Sequence, residues 1–154
     1  MTDMTLRPTE RGDLAALEQV VQATGLFPSE MLAEMLAPAL TGERAALWLS
    51  CVVAGAPVGL SYAEPEALTD GTWNLRALAV HPTQHGAGRG AALVRATEDH
   101  LRAAGQRLLI VETSGTEAFA SVRRFYGKIG YSEEARIAGF WAAGDDKVIF
   151  RKTL

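Results

Sequence analysis

Three glycines crowd the segment HGAGRG at residues 85–90, directly before an alanine-rich apolar run. Small residues at the start of a helix leave backbone N–H groups accessible, and the helix dipole adds partial positive charge there. Such a loop binds phosphate without a lysine, and glycine permits the positive φ angles that close approach requires. We expect His85 and Arg89 to add charge at the rim. The spacing therefore predicts a phosphate-binding loop, with an ordinary glycine-rich helix cap as the alternative.

The same glycines partly match two nucleotide-binding motifs. The P-loop pattern is absent, because no Lys-Ser or Lys-Thr follows them. The dinucleotide pattern G-x-G-x-x-G/A is met by Gly86, Gly88 and Ala91, and Glu112 follows 21 residues after Ala91. However, five residues separate Val80 from the first glycine, and only about 40 residues follow Glu112, too few to complete a doubly wound domain. An NAD-type dinucleotide site is therefore the weaker alternative.

The elements that must position this loop follow from hydrophobic periodicity and from the Gly and Pro positions. The predicted order is β-α-α-β-β-β-α-β-α-β-β, which describes a mixed sheet with helices packed on it. We predict strands at 5–8, two within 45–63, and further strands at 72–80, 107–113, 131–137 and 147–152, with helices after Asp13, after Pro28, after the glycines and at about 117–127. In the 72–80 strand, Trp73, Leu75, Ala77 and Ala79 alternate with Asn74 and Arg76.

The bulk composition is that of an ordinary globular domain, with 154 residues, 48% hydrophobic and 21% charged. This length predicts one domain spanning residues 1–154. The net charge of −3 argues against nucleic-acid binding, which favours a basic face. One cysteine, Cys51, excludes an internal disulfide, and the N-terminus shows no signal-peptide pattern. These features predict a cytoplasmic protein.

The stretch 45–63 has no charge over 19 residues, close to the length of a membrane span. The sequence AGAP at 54–57 divides it into two short runs of strand-forming residues. We therefore predict a hairpin and no membrane association.

Two segments together resemble the GNAT superfamily of N-acetyltransferases. LAVHPTQHGAGRGAALV at 78–94 is similar to the acyl-CoA-binding segment of that family, whose loop has the pattern Q/R-x-x-G-x-G/A. SVRRFYGKIGYSEEARI at 121–137 is similar to its A-x-x-F-Y-x-x-x-G-F segment. The resemblance extends along the whole chain and implies a three-layer α/β (α+β) fold. In that fold a mixed central sheet of about six or seven strands has helices on both faces.

The resemblance also implies the cofactor and the reaction. Acetyl-CoA is the expected co-substrate, and its acetyl group passes directly to a primary amine without a covalent enzyme intermediate. Tyr126 matches the general acid of the family, which protonates the departing thiolate; the alternative is a core aromatic, a role that we expect Phe125 to take. The expected contacts to CoA are the backbone of Leu78, Ala79 and Val80, and the loop residues His85, Gly86, Ala87, Gly88, Arg89 and Gly90.

The chain departs from the family pattern at two positions. His85 stands where the family usually has Gln or Arg, with Gln84 one place earlier. Phe119 stands where the family often has an asparagine that contacts CoA, so we expect that contact to be absent or to come from Ser121. For the departure at His85 we predict only a modest loss of CoA binding, because backbone amides provide most of the expected contacts to phosphate.

The base and the acceptor site are less well defined by the sequence. Glu112 is our first candidate for the base, since partial burial raises the pKa of a carboxylate. The alternative for Glu112 is a solvated charge at the end of a strand, and the alternative bases are Glu64, Glu66 and a bound water. Arg76, on the central strand 72–80, is a further candidate for the base and is also a candidate for binding the substrate. The connection 138–150 is expected to border the acceptor site, unless its GDD is simply a hairpin turn. Phe140 and Trp141 would form one wall, Leu26 and Phe27 the opposite wall, and Asp145 and Asp146 would attract an ammonium group.

The remaining expectations concern partners. The acceptor is a small-molecule or peptide amine, and a homodimer is left open. His81 and His85 are four residues apart, but Pro82 disfavours a helix there, so we predict no metal site. A non-catalytic acyl-CoA-binding or sensor module on the same fold is the alternative to an enzyme.

Overall fold

A computed structural model of the chain describes residues 3–154. Its centre is a seven-stranded sheet in the order β1-β2-β3-β4-β5-β7-β6, in which only β4 and β5 run parallel. The elements are β1 (Met4–Pro8), α1 (Leu14–Thr24), α2 (Leu32–Leu40), β2 (Leu47–Val53), β3 (Ala56–Pro65), β4 (Thr72–Val80), α3 (Arg89–Ala103), β5 (Leu108–Ser114), α4 (Ala120–Lys128), β6 (Ser132–Ala142) and β7 (Asp145–Thr153). The predicted order of strands and helices is confirmed.

The helices form two layers on opposite faces of the sheet. On one face, Leu17 of α1 and Leu32 of α2 pack with Trp48 and Leu60 of the sheet. On the other face, α3 and α4 cover the strands with apolar side chains that include Val94, Leu101 and Tyr126. The predicted three-layer arrangement is therefore confirmed.

The sheet opens between β4 and β5, and this opening positions the site. The two strands pair only from Thr72 and Leu108 to Leu75 and Val111. Beyond that point β5 continues along β7 alone, and the edge of β4 that faces β5 has no strand partner. Unpaired backbone groups of this kind must be satisfied by water or by a ligand.

A β-bulge at Arg76 lies where the opening begins. Leu75 pairs with Ala63 and Ala77 with Tyr62, so Arg76 is the additional residue on β4. Because of the bulge, Leu75 packs on the α3 and α4 face while Ala77 packs on the α1 and α2 face. The predicted alternation along 72–80 is therefore wrong beyond Leu75, and Asn74, expected on the polar face, is buried.

The last hairpin is longer than predicted. We expected strands at 131–137 and 147–152 with a connection between them, whereas β6 and β7 leave only Ala143 and Gly144 as the turn. Gly139 has a φ of +64° and lies within a stretch of β6 where the register with β7 shifts. A glycine can mark either a bulge within a strand or the end of that strand. The sequence therefore predicts an end for β6 that is too early.

The uncharged stretch 45–63 forms β2 and β3, as predicted. Ala54 and Gly55 make the turn with φ angles of +51° and +80°, the left-handed geometry that suits a two-residue hairpin. Within residues 3–154, no helix has the length and apolar character needed to cross a bilayer.

Candidate active site

The glycine loop places unpaired backbone N–H groups at the start of α3. Gly86 and Gly88 have φ angles of +79° and +75°, as the loop prediction required. The first intrahelical hydrogen bond runs from the Ala92 N–H to the Gly88 carbonyl, so the N–H groups of residues 89–91 precede the helical ladder. Four such groups at a helix start are ordinarily left for a cap, water or an anion.

A cleft of about 510 Å³, here called the loop cleft, lies between this loop, the end of β4 and α4. All the residues predicted to contact the cofactor line it except Ala87. The other lining residues are Gln84, Ala91, Ser121, Val122, Phe125 and Tyr126. Val122 and Phe125 were missed because their position depends on how α4 packs over the opening, although their place in the A-x-x-F-Y segment was a usable signal.

Neither His85 nor Arg89 stands free at the rim of the loop. The His85 Nε2 lies 2.6 Å from the Val80 carbonyl oxygen, which ties the imidazole back to the end of β4. Arg89 is only 8% exposed, and its Nε has no hydrogen-bond partner among residues 3–154. The prediction that both add charge at the rim is therefore wrong for Arg89, whose position on the first turn of α3 points it inward.

Arg89 acts electrostatically on the buried thiol of Cys51. Burial raises the pKa of Cys51, and the charge of Arg89 lowers it by a smaller amount, so the net change is upward. A buried thiol with a raised pKa is unreactive.

Tyr126 lies at the junction of the loop cleft with a second cavity. It is 5% exposed and packs edge-to-face against both Phe125 and Tyr131. Burial raises the pKa of its phenol, which keeps the hydroxyl protonated at neutral pH. We expected Phe125, rather than Tyr126, to be the core aromatic, and this is wrong. Tyr126 belongs to the buried core, while Phe125 is half-buried and lines the loop cleft beside Gly90.

The second cavity, here called the strand cleft, has a volume of about 520 Å³ and fills the opening between β4 and β5. It shares Leu78, Val122 and Tyr126 with the loop cleft. Its charged lining residues are Arg76, Glu112 and Asp145, and its apolar wall includes Leu26, Phe119 and Trp141.

Three of the predicted acceptor residues, Phe27, Phe140 and Asp146, do not line the strand cleft. Phe27 packs into the core beneath α1 and α2, whereas Leu26, predicted beside it, does line the cleft. Asp146 accepts a hydrogen bond from the Gly139 N–H at 3.0 Å. Phe140 is 47% exposed and stacks edge-on against Trp141, with ring centroids 4.8 Å apart. Phe140 and Trp141 are consecutive residues of β6, and because successive strand side chains point to opposite faces, only Trp141 reaches the cleft.

Glu112 is held by cations and an amide rather than left free. It pairs closely with Lys147, accepts a hydrogen bond from Asn74 Nδ2 at 3.0 Å, and lies 3.6 Å from Arg76 Nη1. Burial raises the pKa of Glu112, but the hydrogen bonds from Lys147 and Asn74 and the charges of Lys147 and Arg76 outweigh it and lower the pKa overall. The prediction of a raised pKa is wrong, because the sequence did not show that Lys147 lies beside Glu112.

Asp145 differs from Glu112 in its partners. Its Oδ1 accepts a hydrogen bond from Ser114 Oγ at 2.6 Å, and it forms no salt bridge with any cation of residues 3–154. Ser114 is itself buried and accepts a hydrogen bond from the Thr116 N–H, which fixes the hydroxyl. Asp145 is thus a fixed carboxylate in the strand cleft with a free oxygen.

Lys147 and Trp141 complete the surroundings of these carboxylates. The Lys147 ammonium lies 4.1 Å from the centroid of the Phe140 ring, in cation–π geometry. Trp141 donates a hydrogen bond from its indole N–H to the Thr113 carbonyl at 3.2 Å, which fixes the indole at the mouth of the cleft. Sequence reasoning missed Lys147, Ser114 and Asn74, none of which belongs to a recognisable motif.

The imidazole of His81 is held in a local turn. His81 Nδ1 lies 2.9 Å from the Thr83 hydroxyl and 3.2 Å from the Thr83 N, which caps the short turn before the loop. Within residues 3–154, no cluster of three His, Cys, Asp or Glu side chains has the arrangement of a metal site.

Comparison with known proteins identifies the fold and the family. The family profile described as an acetyltransferase (GNAT) domain matches residues 47–133, more than half of the chain. A GNAT-family protein of known structure from Desulfovibrio desulfuricans is 31% identical, with 98% of this chain and 99% of that chain covered and a TM-score of 0.89. No curated protein sequence is significantly similar to the chain.

Two more distant structures share the fold alone. The ribosomal-protein-S18-alanine N-acetyltransferase from Escherichia coli is 21% identical, covers 98% of this chain and 94% of its own, and has a TM-score of 0.79. The YncA protein from Salmonella typhimurium, whose structure includes its cofactor acetyl-CoA, is 19% identical, covers 99% and 94%, and has a TM-score of 0.78.

Proposed function

Because the chain belongs to the GNAT family of acetyltransferases, we propose that it transfers an acetyl group from acetyl-CoA in the loop cleft to a primary amine in the strand cleft. One observation supports this assignment above all others. Tyr126 lines both clefts at the point where β4 and β5 separate. Burial raises the pKa of its phenol and so keeps the hydroxyl protonated. A single proton donor is thereby available where the two substrates meet.

The loop cleft suits the pyrophosphate and pantetheine of CoA. The N–H groups of residues 89–91 and the positive end of α3 favour a pyrophosphate at Gly86 and Gly88. The free edge of β4 beyond Arg76 offers backbone donors and acceptors to the amide groups of the pantetheine arm. Acetyl-CoA in the structure of the YncA protein, which shares this fold, supports the same assignment.

The proposed reaction needs one proton donor and one proton acceptor. The amine nitrogen attacks the thioester carbonyl carbon, the C–S bond breaks, and the thiolate takes the proton of the Tyr126 hydroxyl. An alkyl amine has a pKa of about 10.4, so it must lose a proton before it attacks. That first proton passes to solvent. After the attack the nitrogen loses a second proton to a carboxylate in the strand cleft, or to water bound to it, and this second proton returns to the tyrosinate once the free thiol has formed.

We assign the acceptance of that proton to Asp145 rather than to Glu112. The pairing with Lys147 lowers the pKa of Glu112 and occupies its oxygens, which weakens it as a base. Asp145 keeps one oxygen without a partner among residues 3–154 and faces the same cavity as Tyr126. Glu112 is then a positioning residue that holds Arg76 and Asn74.

The proposal is tested by mixing the protein with acetyl-CoA and a panel of primary amines and measuring the release of free thiol. Thiol release that depends on the amine supports it. CoA binding by calorimetry without release on any amine would favour a non-catalytic acyl-CoA-binding module. A melting temperature raised by NAD but not by CoA would favour a dinucleotide site.

A further inference from the structure

We infer that the acceptor is an α-amino acid with an apolar side chain, held through its carboxylate by Arg76 and through its amine by Asp145. This inference rests on the proposed function, since it names the amine that the strand cleft would receive. It follows from three observations: the hydrogen-bond donors that the Arg76 guanidinium retains, the balance of charge in the strand cleft, and the apolar wall of that cleft.

The Arg76 guanidinium is positioned by its neighbours but not saturated by them. Glu64 Oε1 lies 3.5 Å from the Nε and Glu112 Oε1 lies 3.6 Å from Nη1, distances of ion pairs without hydrogen bonds. Both carboxylates have closer partners, since Glu64 accepts the Tyr62 hydroxyl at 2.6 Å and Glu112 pairs with Lys147. Arg76 therefore retains N–H donors in the planar fork that suits a carboxylate.

The same side chain lies where several cavities meet. Arg76 lines the strand cleft, a small cavity shared with Trp141 and Asn74, and the groove beside Glu64 and Glu66. Its side chain is 47% exposed, although it belongs to a central strand. Arg76 is also the bulged residue of β4, at the point where the pairing of β4 with β5 ends and the opening begins.

The charges that face the strand cleft are balanced rather than negative. Glu112 is compensated by Lys147, which leaves Arg76 and Asp145 as the two groups of opposite sign. A purely cationic amine would meet Asp145 favourably and Arg76 unfavourably. A zwitterion satisfies both, because its ammonium pairs with Asp145 and its carboxylate with Arg76.

The apolar wall identifies the third substituent of the acceptor. Leu26, Phe119 and Trp141 line the strand cleft and are 37%, 43% and 47% exposed, so their surface is open to a ligand. A volume of about 520 Å³ lies within the range of roughly 300–1,000 Å³ that is typical of small-molecule sites. An aromatic or branched aliphatic side chain would cover this wall.

The experiment compares matched acceptors that differ only in the carboxylate. Thiol release from acetyl-CoA is measured with phenylalanine, phenylalaninamide and phenethylamine, and with leucine, leucinamide and isoamylamine. We expect kcat/KM for the amino acid to exceed that of its two analogues by about tenfold to a hundredfold, the range for a hydrogen bond to a charged group. Equal or faster turnover of the amide or the amine in both sets overturns the inference and leaves the proposed function standing.

Arginine variants assign the preference to one residue. R76Q is expected to bring kcat/KM for the amino acid down to that of its decarboxylated amine. R102Q is the matched control, because Arg102 is also ion-paired and its side chain is 48% exposed, but it lies on α3 away from the strand cleft. A preference that survives R76Q, or that R102Q removes equally, overturns the assignment to Arg76.

Binding decides the inference if no acceptor releases thiol, in which case the proposed function fails. Calorimetry of the CoA-saturated protein would then be made with phenylalanine and phenethylamine. Binding of phenylalanine that is tighter than that of phenethylamine, and that R76Q weakens, supports the inference. Absence of such binding overturns it.

Discussion

The loop cleft and the strand cleft meet at Tyr126, but they are built in different ways. The loop cleft is made largely from one continuous segment, residues 78–91. The groups that we propose for CoA binding there are backbone N–H and carbonyl groups. The strand cleft collects side chains from positions as far apart as Leu26 and Asp145, and its charges come from Arg76, Glu112 and Asp145. One cleft therefore depends on chain conformation, and the other on side chains that tertiary packing brings together.

This difference determines which changes each cleft tolerates. A backbone site keeps its donors when a side chain is replaced, provided that the φ angles survive. A site of paired charges loses function when one group is neutralised, because its partner is left without compensation. The four predictions below test this contrast, beginning with the residue that both clefts share.

Tyr126→Phe is expected to have the largest effect, because it removes the hydroxyl and retains the ring. We expect kcat to fall about a hundredfold or more, the usual contribution of a general acid. CoA affinity, measured by calorimetry, is expected to stay within about twofold, since the loop cleft binds through its backbone. Tyr131→Phe is the control, because the Tyr131 hydroxyl donates to Glu98 in the core and reaches neither cleft. Full turnover by Tyr126→Phe would remove the assigned acid.

Asp145→Asn and Glu112→Gln separate the two carboxylates of the strand cleft. We expect Asp145→Asn to lower kcat/KM for the amine by about tenfold to a hundredfold, because the ammonium loses its charged partner. Glu112→Gln is expected to lower it less than about tenfold, since Gln still accepts a hydrogen bond from Lys147 or Asn74. Steady-state kinetics at varied amine concentration gives both values. The opposite ranking would return the role of base to Glu112.

Gly88→Val tests the conformational dependence of the loop cleft. A valine at a φ of +75° is strained by about 1–3 kcal/mol, so we expect CoA affinity to fall about tenfold. The control variant Ala87→Val introduces the same side chain at the preceding residue, which does not line the loop cleft. That control is expected to bind CoA within about twofold of the wild type. Equal losses in the two variants would show that bulk, rather than φ, limits the loop.

The smallest effect concerns stability and pH at Glu112. Its folded pKa lies below the ordinary value of 4.5, so the charged form stabilises the fold above that pH, and the contribution is lost as pH falls through the folded pKa. We expect Glu112→Gln to be less stable by about 1 kcal/mol at pH 7. Urea denaturation between pH 3 and pH 7 should show this difference shrinking below about pH 4.5. A difference that grows on acidification would contradict the lowered pKa.

The sequence predicted the loop cleft well because its chemistry depends on local conformation. The glycines at 86 and 88 specify positive φ angles, and the helix that follows is evident from Leu93, Val94 and Leu101. Neither inference needs knowledge of a distant residue. Arg89 is the exception, since its burial depends on the packing of α3 against β2 and β3.

The strand cleft was predicted only in part, for reasons that are physical. The residues that line it as expected include Asp145, Trp141 and Arg76. Phe27 and Phe140 do not line it, because the direction of each side chain depends on packing that the sequence does not specify. The β-bulge at Arg76 leaves no mark in the sequence, and it decides which face of β4 each later residue occupies. The lowered pKa of Glu112 depends on Lys147, a neighbour contributed by another strand.

The opening in the sheet also constrains the order of events in turnover. The loop cleft lies with α3 and α4, whereas the strand cleft extends to Leu26 in the connection between α1 and α2 on the other face. Under the proposed function each substrate then has its own entrance, and neither must leave before the other arrives. Initial-rate plots are accordingly expected to intersect, as they do for a ternary complex, and an inhibitor of one entrance should compete with only one substrate.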